Sequence, residues 1–176
     1  MANKYESYEG VDNNQRPIYG VIWEGETFTP QVDHKITSHK FKLYTLGVIQ
    51  GNLKYAIYAV DGDHKPIAPI LCSGEVSPSD AETESPGALY EIDLGAGADL
   101  VTDQEYAAIA SYPNGDATHY IRLRFNSGGE YTRGRLIYTD DGGETWTAGP
   151  EPGADYLFEE WGTVGPPPTS RGYIAG

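Results

Sequence analysis

Residues 119–125 read His-Tyr-Ile-Arg-Leu-Arg-Phe, and this stretch decides the fold class. His119, Ile121, Leu123 and Phe125 are predicted to face inward, and they alternate with the outward-facing Tyr120, Arg122 and Arg124. Successive side chains of a strand point to opposite faces of its sheet, so the alternation predicts a strand with one face in the core. The preceding Asn114-Gly115-Asp116 predicts a hairpin turn, because Asn-Gly accepts the positive φ angles of such turns.

Similar strand patterns recur along residues 18–162, separated by Gly-, Pro- and Asp-rich turns at intervals of about ten residues. The stretch 36–46 is a longer strand whose alternation breaks near Thr37-Ser38, which indicates a bulge. The best helix signal, at residues 102–110, is short and ends at a proline, so a turn followed by a strand is predicted instead. Together these patterns predict an all-β fold, a two-sheet antiparallel β-sandwich that is jelly-roll-like.

The two ends of the chain lack the strand pattern. Residues 1–17 are polar and without periodicity, which predicts an N-terminal arm, either flexible or docked on a partner. Residues 163–176 form a proline-rich C-terminal tail that is either disordered or a strap onto a neighbouring subunit. The residues of that tail predicted to dock on a subunit are Pro166, Pro167, Pro168, Tyr173 and Ile174.

The net charge of −14 limits the classes of partner. Such a field repels phosphate backbones and anionic lipid, which argues against nucleic acid and membrane surfaces.

The single cysteine, Cys72, cannot form an internal disulfide and is predicted to be a small buried hydrophobe. No apolar signal segment follows Met1, so synthesis in the cytoplasm without a signal peptide is expected.

Residues 139–146 read Thr-Asp-Asp-Gly-Gly-Glu-Thr-Trp, which resembles the Asp-box hairpin of sialidase propellers. In that hairpin an Asp caps backbone amides, a Gly takes a conformation costly for other residues, and a Trp packs beneath the loop. The resemblance implies these structural roles for Asp141, Gly143 and Trp146. A single copy in a chain of 176 residues is too little for a propeller.

A second resemblance covers roughly residues 18–162. The segments that carry it are Glu26–Pro30, Ile36–Tyr44, Asp61–Asp63, Pro66–Gly74, Glu105–Ile109, Gly115-Asp116, Tyr138–Trp146 and Asp155–Gly162. Together they resemble a β-sandwich module of phage and environmental structural proteins and of choice-of-anchor-type surface proteins. The resemblance implies a jelly-roll-like sandwich and transfers no catalytic residue, since the shared positions are turn and core positions.

An inventory of reactive side chains argues against an enzyme. The four histidines show neither His-x-His nor His-Glu-x-x-His spacing, and no nucleophile elbow or phosphate loop is present. Glu159 and Glu160 are strand neighbours that point to opposite faces, so they cannot share a site. No cofactor is expected. A structural calcium ion at Asp61 and Asp63 is an alternative to simple turn capping.

These observations predict a non-enzymatic structural subunit of a virion or surface assembly, such as a bacteriophage head-decoration (capsid decoration) or tail-associated protein. It would be a homo-oligomer that binds copies of itself and other assembly proteins through its termini. The alternative is a carbohydrate-binding or host-attachment module, in which exposed aromatic rings stack on a glycan. The rings proposed for that role are Tyr112, Tyr120 and Trp161.

Overall fold

A computed structural model of the chain describes residues 1–149 and 153–165. These residues form strands and no helix, so none of them belongs to a helix able to cross a membrane. In chain order the strands are β1 (Asn3–Tyr8), β2 (Asn14–Ile18), β3 (Trp23–Phe28), β4 (His34–Leu46), β5 (Leu53–Val60), β6 (Pro66–Val76), β7 (Ala88–Leu100), β8 (Tyr106–Ser111), β9 (Tyr120–Asn126), β10 (Leu136–Thr139), β11 (Thr147–Ala148), β12 (Asp155–Tyr156) and β13 (Phe158–Val164).

The strands form two antiparallel sheets that pack face to face, which confirms the predicted sandwich. One sheet has seven strands, in which β1, β13, β4, β9 and β12 follow one another while β2 joins β9 and β7 joins β4. The other has six strands in the order β11-β10-β3-β8-β5-β6. The chain crosses between the sheets at most connections, which is the jelly-roll-like feature of the fold.

The core lies between the sheets and is rich in aromatic rings. Phe41 and Tyr55 meet edge to face across the sandwich with ring centroids 5.3 Å apart, and both are fully buried. Of the residues predicted to face inward, Ile121, Leu123 and Phe125 of β9 are buried. The prediction is wrong for His119, which precedes β9 and is half-exposed. The predicted bulge in β4 is also present, since its register with β7 shifts between Ile36 and Ser38.

The prediction that residues 1–17 form an arm outside the sandwich is wrong. Strand β1 pairs with β13, and β2 pairs with β9. The sequence lacks an apolar pattern there because β1 is at the edge of its sheet, where water reaches the outward side chains. Tyr8 and Ile18 are the apolar side chains that these strands contribute to the core. The sandwich therefore begins at Asn3.

Two other boundaries differ from the sequence prediction. Strand β13 runs to Val164, so the first two residues assigned to the tail belong to the sandwich, while residues 166–176 lie outside the described part. The turn at Asn114-Gly115-Asp116 does not close a hairpin, because β8 and β9 lie in different sheets. The local turn signal was correct, but it could not show which strands flank the turn.

Candidate binding surface

The aromatic residues proposed from sequence for sugar stacking do not form a site. Tyr112 is fully buried, and its hydroxyl donates to the Gln50 carbonyl at 2.5 Å, so its assignment as an exposed ring is wrong. Tyr120 and Trp161 are half-buried on the seven-stranded sheet, where they pair with Leu46 and Ser38 at opposite parts of β4. At about 3.3 Å per strand residue they are roughly 25 Å apart, too far for one short glycan.

The two aspartates proposed for calcium cap a turn. Asp61 Oδ1 accepts from the backbone N–H groups of Asp63 and Lys65 at 2.9 and 3.0 Å, and these bonds lower the pKa of Asp61. Within residues 1–149 and 153–165, no three His, Cys, Asp or Glu side chains converge as metal ligands would. Turn capping therefore accounts for these residues, and calcium binding stays a prediction.

The loop at residues 139–146 is organised by one carboxylate. Asp141 accepts from the Thr139 hydroxyl at 2.7 Å and from the Thr145 backbone N–H at 2.9 Å. Gly143 has φ of +94°, and a Cβ placed there would lie 2.9 Å from the Trp23 ring. The loop is thus closed onto the outer face of the six-stranded sheet. Its identity as an Asp-box stays a prediction.

The proposed docking residues of the C-terminal tail lie outside the described part of the chain.

The outer face of the six-stranded sheet carries a group of aromatic residues that the sequence did not bring together. Trp146 lies 6.4 Å from Trp23 and 6.5 Å from Tyr58 between ring centroids, and we call these three residues the aromatic cluster. They cover Ala107 and Ile109, which are almost fully buried although they face outward. The rings themselves are half-buried, so their outer surfaces remain open to solvent.

A depression of about 460 Å³ adjoins the aromatic cluster. Trp146 and Thr147 form one wall, while Asp63, His64 and Lys65 of the turn between β5 and β6 form another. His64 is held in place by Glu105, whose carboxylate is 2.6 Å from its Nδ1 atom. The lining of the depression is mostly polar, and Trp146 is its aromatic side chain, so the site offers one stacking surface beside several hydrogen-bonding groups.

Strand β6 exposes a second surface beside the aromatic cluster. It is the outermost strand of its sheet, and four of its large apolar side chains face solvent. Ile67, Ile70, Leu71 and Val76 are 43, 40, 38 and 39% exposed, and we call them the apolar strip. Ile70 pairs with Tyr58 of the outer face and Val76 pairs with the core residue Leu53, so the apolar strip follows the edge of the sheet rather than one face. Several large apolar residues along one edge strand are informative, whereas single exposed ones are common.

The backbone of β6 is poorly suited to pairing with another strand. Pro66 and Pro69 lack an N–H group, and the register with β5 skips residues 68, 69 and 71. Near its C-terminal end Gly74 lies against the Asp93 carbonyl of β7, where a Cβ would come within 1.7 Å. Prolines and bulges on an edge strand prevent uncontrolled strand addition. The apolar strip is therefore available through its side chains rather than through its backbone.

Burial shifts the pKa values of several groups packed in the sandwich. Burial raises the pKa of Glu24 to about 8, against the effects of Arg16 and of the Tyr156 hydroxyl, which donates to it at 2.8 Å. Burial also lowers the pKa of His39 to about 3 and raises that of Cys72 to about 12. Strand packing thus holds neutral forms of His39 and Cys72 near pH 7, and the Cys72 thiol is not activated as a nucleophile.

The seven-stranded sheet presents a different outer face, on which charges are paired. Lys40 lies 3.3 Å from Glu159 and 4.6 Å from the centroid of the Trp161 ring. Arg124, which is nearly buried, lies 2.5 Å from Asp12. Because these cations have acidic partners in the same chain, this face does not offer a strong attraction for an anion.

Comparison with known proteins gives no family for the chain. No protein-family model matches it, and no curated protein is significantly similar to it.

Proposed function

We propose that this chain is a non-enzymatic structural subunit of a virion or another surface assembly, and that it binds neighbouring copies of itself through the apolar strip of β6. The observation that carries the proposal is the grouping of four exposed large apolar side chains on one edge strand. The virion or surface setting is supported by the module resemblance of residues 18–162.

The apolar strip has a physical reason to be covered. Removing apolar surface from water contributes about 25 cal/mol per Å², so several covered side chains supply a useful part of an interface. Ile67 and Leu71 are both more than a third exposed, although strand residues of a monomer are usually polar on the solvent side. A symmetric contact between two copies would bury the strip twice, which is the commonest arrangement of homodimers.

Charge sets the conditions for such a contact. Two copies that each carry a net charge of −14 repel one another. Two acidic residues lie close to the strip: Glu75 is next to Val76 in β6, and Asp61 is in the turn that precedes β6. Salt screens exposed charges over a Debye length of about 8 Å at physiological ionic strength. Association driven by the apolar strip should therefore strengthen as salt is added, whereas association through ion pairs would weaken.

The proposal is tested by sedimentation velocity of the full chain over a range of protein and salt concentrations. We expect a monomer at low salt and a growing fraction of oligomer at high salt. The double substitution Ile67→Asp and Leu71→Asp should abolish the oligomer. Val48→Asp with Val101→Asp is the matched control, since both valines are exposed and the added charge is the same. A chain that stays monomeric at every salt concentration, or two double variants that associate equally, would contradict the proposal.

A carbohydrate-binding or host-attachment module is the second candidate function. The observation that favours it is the aromatic cluster with its adjoining depression, rather than the rings proposed from sequence. The two functions use neighbouring but distinct residues, so they are compatible in one protein.

A further inference from the structure

We infer that the aromatic cluster and the depression beside Trp146 form a binding site for a neutral saccharide. The inference is independent of the proposed assembly role, because it involves Trp146 and Tyr58 rather than the side chains of the apolar strip. Its basis is the combination of open ring surfaces, unpaired polar tips and a pocket of suitable size on one sheet face.

The first observation is that the polar tips of two rings are free. Within residues 1–149 and 153–165, neither the Tyr58 hydroxyl nor the Trp146 indole N–H has a hydrogen-bond partner, and neither atom is buried. Trp23 differs, since its indole N–H donates to the Gly20 carbonyl at 2.9 Å. The Tyr58 hydroxyl is protonated at neutral pH and can donate, and partial burial raises its pKa further above the ordinary value near 10. Tyr58 and Trp146 can therefore bind a ligand with both a ring surface and a donor.

The second observation is the composition of the depression. Its volume of about 460 Å³ falls within the roughly 300–1,000 Å³ of small-ligand pockets. Asp63 supplies carboxylate acceptors, and Lys65 and Thr147 supply donors, beside the Trp146 ring. Hydroxyl groups of a sugar both donate and accept, while the C–H face of a pyranose ring packs on an aromatic ring. This division between an apolar face and a polar rim matches the site.

The third observation is that the ring of Trp146 is held before any ligand arrives. Asp141 fixes the loop that precedes Trp146, through its bonds to Thr139 and Thr145. The ring then packs on Trp23 and Tyr58 over a floor of buried Ile109. A side chain already fixed in its bound position loses little conformational entropy on binding, which favours affinity. The acidic net charge favours a neutral glycan over an anionic one.

The experiment tests the full chain against neutral polysaccharides. Affinity electrophoresis is run in gels containing hydroxyethyl cellulose, xylan, galactomannan or laminarin, and a microarray of neutral oligosaccharides extends the search. We expect retardation by at least one polysaccharide, and isothermal titration with the corresponding oligosaccharide should give a matching affinity. Absence of retardation on all four gels together with an unlabelled microarray would overturn the inference.

Variants then assign the binding to the site. Trp146→Ala should weaken binding at least tenfold, and Tyr58→Phe, which removes one hydroxyl and keeps the ring, should weaken it several-fold. Because Trp146 covers part of the sheet, Trp146→Phe serves as the variant that retains an aromatic cover but lacks the indole N–H. Trp161→Ala, on the other sheet, is the matched control and should bind as the native chain does. Equal binding by native, Trp146→Ala and Tyr58→Phe chains would overturn the assignment.

The same variants separate sugar binding from subunit contact. If the aromatic cluster instead packs on a neighbouring copy, Tyr58→Phe and Trp146→Phe will reduce self-association in sedimentation and leave retardation by polysaccharide unchanged. That result would also overturn the inference. Retained self-association with weakened retardation would support it.

Discussion

The imidazole of His34 and the carboxylate of Glu160 are hydrogen bonded inside the sandwich, with Nε2 and Oε1 2.7 Å apart and both side chains fully buried. The other ring nitrogen of His34 lies 2.9 Å from the Val32 carbonyl oxygen. Both neighbours of the ring are acceptors unless Glu160 is protonated. The pair therefore exists either as imidazolium with carboxylate or as neutral imidazole with carboxylic acid, and its net charge is zero in both forms.

Strand β1 closes this pair off from solvent. Tyr5 stacks on His34 with ring centroids 3.9 Å apart and planes 4° from parallel, and Glu6 lies opposite Glu160 in the register. Burial raises the pKa of Glu160, against the effect of His34. Burial alone would lower the pKa of His34, but its hydrogen bond and charge interaction with Glu160 raise it.

Replacing one member of the pair should destabilise the fold strongly. Glu160→Ala leaves His34 buried without its partner, and breaking a buried pair costs about 3–5 kcal/mol. The free energy of unfolding from urea titration measures this loss. The double variant His34→Leu with Glu160→Leu should recover much of the stability, because neither polar group is then left unpaired. A loss smaller than about 1 kcal/mol in Glu160→Ala would contradict a paired, buried arrangement.

The pair should also make stability depend on pH. Both folded-state pKa values are raised above their unfolded values, so the folded chain binds more protons over that range. The stabilisation is fully present at low pH and is lost as pH rises through the folded pKa values. Comparing unfolding of the native chain with His34→Leu/Glu160→Leu between pH 5 and 9 isolates this effect. A difference between the two chains that stays constant with pH would count against it.

His39 should have the opposite pH dependence. It is fully buried among aromatic rings, and neither ring nitrogen has a partner among the described residues. Its pKa falls from 6.5 to about 3 on folding, so the unfolded chain binds the extra proton between those values. Its contribution to stability is therefore lost as pH falls below 6.5, at up to about 1.4 kcal/mol per pH unit. His39→Leu should remove this acid sensitivity and raise the free energy of unfolding at pH 7 by about 1 kcal/mol. Destabilisation by more than about 1 kcal/mol at pH 7 would show that His39 makes a favourable polar contact.

The loop that supports Trp146 should not tolerate a side chain at Gly143. Gly143→Ala combines the cost of a positive φ with a Cβ that would lie 2.9 Å from Trp23, so we expect a loss of about 1–3 kcal/mol. Gly62→Ala is the matched control, since a Cβ there meets nothing within 4 Å. Thermal unfolding of both variants, with near-UV circular dichroism to follow the tryptophans, makes the comparison. Equal stability of the two variants would contradict the described loop.

Removal of strand β1 distinguishes a structural strand from an arm. Deleting residues 1–8 should lower the free energy of unfolding by at least about 2 kcal/mol, because Tyr8 leaves the core and the pair of His34 and Glu160 becomes exposed. Urea unfolding with unchanged slope would show that the remainder still folds as one unit. A truncated chain as stable as the full one would contradict the pairing of β1 with β13.

The sequence predicts the layers of this fold better than its edges. Alternation in residues 121–125 and the phase break near Ser38 are local consequences of one buried face, so they can be read from sequence. Strand β1 escapes detection because an edge strand contributes few apolar residues, and Tyr8 alone shows no period. The turn at Asn114 was correctly located, yet the strands it joins depend on pairings with distant residues.

The binding surface was predicted less well, for a related reason. Tyr112 precedes Pro113 near a turn and was expected to be exposed, but its ring enters the core and its hydroxyl bonds to Gln50. Tyr58 and Trp23 come from strands distant in sequence, and both contact Trp146 only because β5 and β3 pair with the same strand, β8. Strand β5 has apolar residues on both faces, and such a pattern does not show which face packs in the core and which lies on the outer surface. The apolar strip could not be predicted for the same reason, because its residues form an ordinary apolar strand pattern and are exposed only because β6 is an edge strand.

The most direct test of the assembly role is hydrogen–deuterium exchange of the full chain at low and high protein concentration in high salt. We predict that amides of residues 67–76 gain protection as concentration rises, while those of β9 on the other sheet do not change. Ile70 and Leu71 are the informative positions, because they belong to the apolar strip and have an amide hydrogen, which Pro69 lacks. Association that leaves the exchange of β6 unchanged, or protection that appears on β9 instead, would contradict the proposal that copies of this chain meet through the apolar strip.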